Sequence, residues 1–464
     1  MVIATVNISD PSARWLNRVA RHGQPVYLAL VKALDEAIRD GELQAGDRLP
    51  PQRTVGDLLG INFTTVTRAY EAARSRGLLE GAVGRGTYVR ARTSDDEAGL
   101  VDLSMNLPPP PDGVSLAALL KDTTRDVLDR TDTAALMAYH PGAGTLGQKT
   151  AAASWLAPSL GEVNPERLLI CPGAQTALAA ILATVARAGA AVIVEPLTYP
   201  GLRAAATRLG LRLVACPVDG EGMLPDALDR LCAEEGPAAV YIVPTLQNPT
   251  ATTMGAQRRR DLAGVIRARR VWLIEDDPYS RLIDDPPPAV ATFAPERSIY
   301  VATLSKCLSP GLRTAFVATP EGPIGADIAA GLRAIGLMAS PLMTAVVASW
   351  IRDGAAEQLL AGVRREARAR RRIAAELLPT AVGSPEAIHV WQGLPQGWRP
   401  DRLSLVAQQR GLSLVTAEAF AVDDVHPNGL RISLGGPRIQ AVLREALRKI
   451  ANLLEIVPVH RQTI

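Results

Sequence analysis

The stretch Thr303-Leu304-Ser305-Lys306-Cys307-Leu308-Ser309-Pro310-Gly311-Leu312-Arg313 follows the apolar run Ser298-Ile299-Tyr300-Val301-Ala302. That run reads as a buried strand. It carries Lys306 to a strand end, where an amine is costly to bury unless it has a task. Thr303 and Ser305 place hydroxyls around the lysine, and Arg313 adds a guanidinium seven residues on, a set suited to a phosphate. A lysine beside a phosphate site suits a phosphorylated aldehyde held as a Schiff base, as pyridoxal phosphate is held, with Lys306 as the covalent, catalytic group.

Four more strand-and-turn segments precede it in the chain. Leu168–Cys171 runs into Pro172-Gly173-Ala174-Gln175-Thr176 and then a helical pattern, Ala177, Leu178, Ile181 and Leu182. Strand, small-residue turn and helix offer free backbone N–H groups to a phosphate. Ala191–Val194 ends in Glu195-Pro196-Leu197-Thr198-Tyr199-Pro200, and the face of Tyr199 suits a flat heteroaromatic ring. Ala239–Val243 precedes Pro244-Thr245-Leu246-Gln247-Asn248-Pro249-Thr250, and Val271–Ile274 leads to Glu275-Asp276-Asp277-Pro278-Tyr279. A carboxylate there could hold a proton on a pyridine nitrogen, and Asp276 and Asp277 both stand in position. Strand ends of a mostly parallel sheet collect ligands at one edge.

The first fifth of the chain is different. Val26, Leu30, Leu34 and Ile38 write a helix that Gly41 ends; a second short helix covers about Pro51 to Leu59, and a third about Thr64 to Arg76. Two short helices joined by a tight turn, the second opening on Thr64, Thr65, Thr67 and Arg68, fit a helix-turn-helix. Leu78–Gly81 and Val83–Val89 then form two strands with Arg85 at a glycine-rich tip, a wing. Arg53 is placed for a backbone phosphate. Gly84-Arg85-Gly86 lacks the strand–turn–helix context of a nucleotide loop.

Two resemblances follow. The lysine stretch and the four segments before it resemble, in order, the motifs of the class I/II aminotransferases of fold type I. The resemblance implies an α/β fold with a mostly parallel-sheet large domain over 114–350 and a smaller α+β domain over 351–464. It assigns Gly173, Ala174 and Gln175 to the cofactor phosphate, Tyr199 to stacking, and Asn248 and Tyr279 to the phenolic oxygen. Asp276 pairs the ring nitrogen, with Asp277 second, and Arg431 binds an α-carboxylate. Tyr139, in Tyr139-His140-Pro141-Gly142-Ala143-Gly144, would reach the neighbouring subunit's cofactor phosphate, which implies a homodimer. Ala251 and Ala315 stand where the family usually has glycine.

The N-terminal segment, 13–92, resembles the winged helix-turn-helix of the GntR family on Leu49-Pro50-Pro51-Gln52-Arg53, Thr65-Val66-Thr67-Arg68-Ala69-Tyr70 and Gly84-Arg85-Gly86-Thr87. Arg53, Thr65 and Arg68 would then contact phosphates or bases, and Arg85 or Gly86 the minor groove. The two motif sets in this order resemble the MocR subfamily of GntR transcriptional regulators. That implies a homodimer on double-stranded operator DNA, with pyridoxal phosphate, an amine or an amino acid as effector. A working aminotransferase that carries a DNA-binding head is the alternative.

Composition reads as that of a soluble cytosolic protein, and the resemblance implies a bacterial one. The 464 residues carry net charge +3, of which residues 1–92 hold +4 (13 Lys/Arg against 9 Asp/Glu). The basic excess thus lies in the head. Four cysteines and 5 histidines show neither zinc spacing nor a disulfide framework, so no metal is expected. Met1–Asp10 lacks the regions of a signal peptide, and no apolar run reads as a membrane span. The polar stretch from Arg92 to Leu100 reads as a linker, and 93–113 as linker plus an extended arm near the pocket. Beyond residue 351, a helix over Glu357–Leu378 carries Arg364, Arg365, Arg368, Arg370, Arg371 and Arg372, a run that more often marks a solvated face than a second DNA contact. His389–Trp391, Leu412–Val415 and Leu430–Leu434 read as strands of a smaller sheet.

Overall fold

The computed structural model describes residues 13–19, 25–44, 46–75, 78–82, 86–89, 100–140, 142–395 and 398–455. The chain divides into two compact units, Met1–Gly99 and Leu100–Ile464. The part of the predicted linker-arm from residue 100 onward therefore belongs to the second unit.

In the first unit, helix α1 (Val26–Arg39) buries Leu30, Leu34 and Ala37 along one face. Helix α2 (Gln52–Leu59) ends at Gly60, whose φ of 64° makes a left-handed cap. Helix α3 (Phe63–Ser75) follows at once and buries Val66, Tyr70 and Ala73. The turn is tight because Gly56 has no side chain: a Cβ there would lie 3.0 Å from the Ile61 carbonyl oxygen. Tyr70 donates to the Pro50 carbonyl oxygen at 3.0 Å, anchoring α3 to the entry of α2. Strands β1 (Leu79–Ala82) and β2 (Gly86–Val89) pair antiparallel as the wing. Arg85, at the expected tip, lies outside the described residues.

The second unit is built on a seven-stranded sheet. Its order is Leu168–Cys171, Ala315–Ala318, Ser298–Thr303, Trp272–Asp276, Ala239–Ile242, Ala191–Val194 and Arg212–Ala215. All pairs are parallel except those made by Ala315–Ala318, which is antiparallel to both neighbours. Leu168–Cys171, Ala239–Ile242 and Ser298–Thr303 are buried along their whole length, as expected of a sheet covered on both faces. A smaller antiparallel sheet holds His389–Gly393, Gly429–Ser433 and Val415–Thr416. The predicted strand Leu412–Val415 is split: Leu412–Ser413 pairs instead with Val101–Asp102 of the arm, so the arm is stitched to the small sheet. No described helix is long and apolar enough to cross a membrane.

The arginine-rich helix, Ala355–Leu377, departs from the solvated-face reading. Arg370 is fully buried, donating to Glu366 at 2.7 Å and to the Leu434 carbonyl oxygen at 2.8 Å. Arg364 donates to the carbonyl oxygens of Arg281 and Ile283, Arg371 to that of Gly383, and Arg365 and Arg368 pair with Asp112 and Asp284. These guanidinium groups tie the helix to loops of both sheets. Only Arg372 among the six is exposed without a carboxylate partner of its own among the described ion pairs.

Removing a buried cation strands its partners in low dielectric. Arg370→Ala is expected to destabilise the second unit by roughly 3 kcal/mol or more, and Arg372→Ala by less than about 0.5 kcal/mol. Denaturant unfolding of both variants checks the contrast.

Candidate functional site

The C-terminal edge of the large sheet, the arm and the small sheet enclose a cavity of about 530 Å³. Its wall holds Ala174, Gln175, Tyr199, Asn248, Asp276, Tyr279, Thr303, Ser305, Lys306, Arg313 and Arg431, residues scattered over more than half of the chain. Lys306 lies just past the strand Ser298–Thr303, and its Nζ donates to the Asn106 main-chain oxygen at 2.6 Å. Burial, and then the Arg431 charge, push its amine down to about 8, while Asp276 works in the opposite direction.

Asp276 ends its strand with Oδ2 accepting from Tyr241 Oη at 2.7 Å and Oδ1 buried without a donor. Burial pushes its carboxyl up to about 7. Asp277 is placed differently. Its Oδ1 accepts from the backbone N–H of Ser280 at 2.9 Å, and its Oδ2 from Tyr300 Oη at 2.9 Å. Of the two acids, Asp276 alone lines the cavity.

The helix Ala174–Val185 opens on Gly173 with no side-chain cap, which leaves its first N–H groups without intrahelical partners. Gly173 has φ 95°, and a Cβ on it would lie 2.7 Å from a terminal nitrogen of Arg313. Thr303 and Ser305 hydroxyls meet at 2.9 Å beside them. Gly201 is required too: a Cβ there would lie 2.4 Å from the Tyr199 ring. Ala251, at the glycine departure, adopts φ 58° and closes its turn through Ala251 N–H to the Gln247 carbonyl oxygen at 2.7 Å. The loop keeps its shape at a cost of about 1 kcal/mol of left-handed strain.

Arg431, from the strand Gly429–Ser433, donates to Asn248 Oδ1 at 2.8 Å and to the Ser104 carbonyl oxygen, and its Nε is buried without an acceptor. No carboxylate is paired with this buried guanidinium among the described residues. Tyr139 is not brought to the cavity; it is 80% exposed.

Three contributors went unread in the sequence: Asn106, Tyr241 and His389. Asn106 Nδ2 donates to Tyr279 Oη at 2.9 Å and faces His389 Nδ1 at 3.1 Å. His389 Nε2 lies 3.0 Å from the Gln247 carbonyl oxygen, which can only accept, so Nδ1 is the acceptor for Asn106. Burial holds His389 neutral by pushing its pKa down to about 3. A polar residue in an apolar arm and a histidine opening an apolar strand were the available signals, but no spacing links positions 106, 279 and 389.

In the head, Arg53, Thr64 and Arg68 are exposed, Thr65 and Thr67 half-buried, and Gly86 exposed with φ 112°. The Arg68 guanidinium lies over the Tyr27 ring, 4.1 Å from its centroid. The Thr67 hydroxyl donates to Gln52 Oε1 at 2.7 Å, an internal tie between α3 and α2.

Residues 98–450 match the family "Aminotransferase class I and II", and residues 26–89 match "Bacterial regulatory proteins, gntR family". The chain is 30% identical over 452 residues to the HTH-type transcriptional regulator YdeF of Bacillus subtilis, covering 95% of this chain and 97% of that one. The HTH-type pyridoxine biosynthesis transcriptional regulator PdxR of Corynebacterium glutamicum is 29% identical across 75% of this chain and 78% of its own. An archaeal alanine:glyoxylate aminotransferase structure superposes with a TM-score of 0.70 at 26% identity, covering 76% of this chain and 90% of that chain. The chain belongs to the MocR subfamily of GntR transcriptional regulators. Its second unit is a class I/II aminotransferase body, the fold that takes pyridoxal phosphate. The cavity of this MocR regulator fits that cofactor: a lysine amine, a buried carboxylate oxygen lacking a donor, and an uncapped helix start beside an arginine.

The amine of Lys306 should titrate near 8 in the cofactor-free protein, against 10.5 for an ordinary lysine. Acylation of Lys306 followed by mass spectrometry across pH reads this directly. Arg431→Met removes a cation that lowers the amine's pKa, so it should move the midpoint upward; a wild-type midpoint at the ordinary value refutes the assignment.

Proposed function

We propose that the body of this MocR regulator senses a small carboxylate-bearing amino compound, or pyridoxal phosphate itself, and that occupancy sets operator binding by a homodimer. The observation that carries the reading is Arg431, a buried cation with no carboxylate partner among the described residues, in the same cavity as Lys306. An unpaired buried charge is costly, and a ligand carboxylate is the partner that a guanidinium fork suits.

Lys306 would hold the cofactor as a Schiff base, with Asp276 Oδ1 at the ring nitrogen and Tyr199 against the ring. Gly173, Ala174 and Gln175 would meet the phosphate with Thr303, Ser305 and Arg313, while Asn248 and Tyr279 would meet the phenolic oxygen. Bound there, pyridoxal phosphate supplies an electrophilic carbonyl for an amine and a ring that accepts electrons. Asn106, on the arm, meets both Tyr279 and the Lys306 amine, and His389 of the small sheet holds the Asn106 side chain.

A second copy of the chain is favoured by one surface. Met137, Tyr139, Leu146 and Leu337 are each more than half exposed around a cavity lined by Leu136, His140, Thr145 and Met338. Large apolar side chains grouped in this way suit a protein interface. A DNA partner places the protein in the cytoplasm.

A working aminotransferase is the second reading, favoured by the Lys306 amine, whose pKa near 8 suits proton transfer. Assay of keto acid during incubation with amino acids decides between them, because sensing needs no turnover.

Cofactor-loaded protein titrated with amino acids and with the matching amines, followed by visible absorbance, tests the site. Arg431→Met should weaken carboxylate-bearing compounds about 30-fold or more, roughly 2 kcal/mol, and leave amines unchanged. Lys306→Ala should lose both the band and the response. A Lys306→Ala protein with the wild-type band and response would overturn the assignment.

A further inference from the structure

Phe63 is the one exposed large hydrophobic side chain among the described residues of the head, at 51%. The core of the head closes without it, through residues such as Leu30, Val55, Val66 and Tyr70. Its backbone, by contrast, is held firmly. The Thr67 hydroxyl oxygen lies 3.1 Å from the Phe63 carbonyl oxygen, and Gly56 admits the turn so closely that a Cβ there would lie 3.5 Å from Phe63 Cα. Asn62 Oδ1 accepts from the backbone N–H and the hydroxyl of Thr64, both at 2.9 Å, fixing the start of α3. The ring is therefore carried on a rigid mount at the first position of α3 and left in water.

The surroundings suit a polyanion. The first turn of α3 holds no acidic residue, Thr64 is exposed beside the ring, and Arg53 is exposed on the first turn of α2. In a helix-turn-helix the residues at the start of the second helix reach base edges in the major groove. The apolar feature displayed there is the C5-methyl of thymine, and aromatic side chains contact it. Wedging between bases is a minor-groove device and does not fit this placement.

We propose that Phe63 reads a thymine methyl group in each operator half-site, a specificity contact that rests on the DNA-binding reading of the head. The ring supplies the sequence information; Arg53 and its neighbours supply sequence-independent phosphate contact.

The test uses the full-length, cofactor-loaded protein. Operators selected from random duplex DNA should carry a constant thymine in each half-site. Replacing that thymine by deoxyuridine removes only the methyl and should weaken wild-type binding about fourfold, the worth of one buried methyl. Phe63→Ala, an exposed change whose fold circular dichroism can verify, should bind the two duplexes equally. Its salt dependence should be unaltered, because no phosphate contact is lost. Phe63→Leu should retain part of the preference. A wild-type protein indifferent to every thymine-to-deoxyuridine change, or a Phe63→Ala protein with the full penalty, would overturn the proposal. Loss of subunit association in Phe63→Ala with the thymine preference intact would assign the ring to a protein contact and overturn it too. Failure of the wild type to select any DNA would instead remove the DNA-binding reading itself.

Discussion

Lys306 Nζ donates to the main-chain oxygen of Asn106, 200 residues earlier in the chain, and that contact ties the arm to the large sheet. The arm that carries Asn106 pairs with Leu412–Ser413 and accepts from the Ser433 N–H at Leu103 O, 2.9 Å. It also accepts from Arg431 at Ser104 O. Gly435 and Gly436 make room for it: a Cβ on Gly435 would lie 1.8 Å from the Leu107 carbonyl oxygen, and one on Gly436 would lie 2.3 Å from that of Asp102. The arm thus joins the lysine of the large sheet to the arginine of the small sheet. Any ligand that engages Lys306 and Arg431 competes with main-chain acceptors on this one segment, which gives a binding event at the cavity a direct mechanical consequence.

Charge inside the body is handled in two ways. Arg259 and Arg370 are buried but saturated by carbonyl oxygens and side-chain acceptors, and serve as rivets between loops. Glu275 is likewise buried with its oxygens accepting the backbone N–H groups of Val290 and Ala291. Asp276 and Arg431 differ, each keeping a buried polar atom without a partner. Both residues line the cavity, where a ligand could supply the missing partner. The same low dielectric that raises the Asp276 pKa and lowers that of Lys306 makes both groups responsive to what enters.

The head works on the opposite principle. Its core is apolar and complete, its turn is tightened by Gly56 and Gly60, and its polar side chains at the α2–α3 junction are mostly engaged with each other. Rigidity there is useful because reading bases requires side chains presented at fixed positions, while phosphate contacts from long arginines tolerate slack.

The local pattern in the sequence was enough for most strands and helices of both units and for placing Lys306 with its neighbouring hydroxyls at a strand end, while the family resemblance picked out Asn248 and Tyr279 at theirs. Those features are legible because periodicity and turn chemistry act over a few residues, and because a parallel sheet sends its strand ends to one edge. The choice between Asp276 and Asp277 rested on resemblance alone: Asp276 ends its strand and Asp277 follows it, and only the packed structure shows which of the two lines the cavity. Asn106 and His389 were not legible, since their roles exist only where the arm, a loop and the small sheet converge. The arginine-rich helix read as a solvated face because composition cannot reveal the carbonyl oxygens that distant loops bring to it. Tertiary structure decided these points, since a buried polar group takes its meaning from partners that the linear chain keeps far apart.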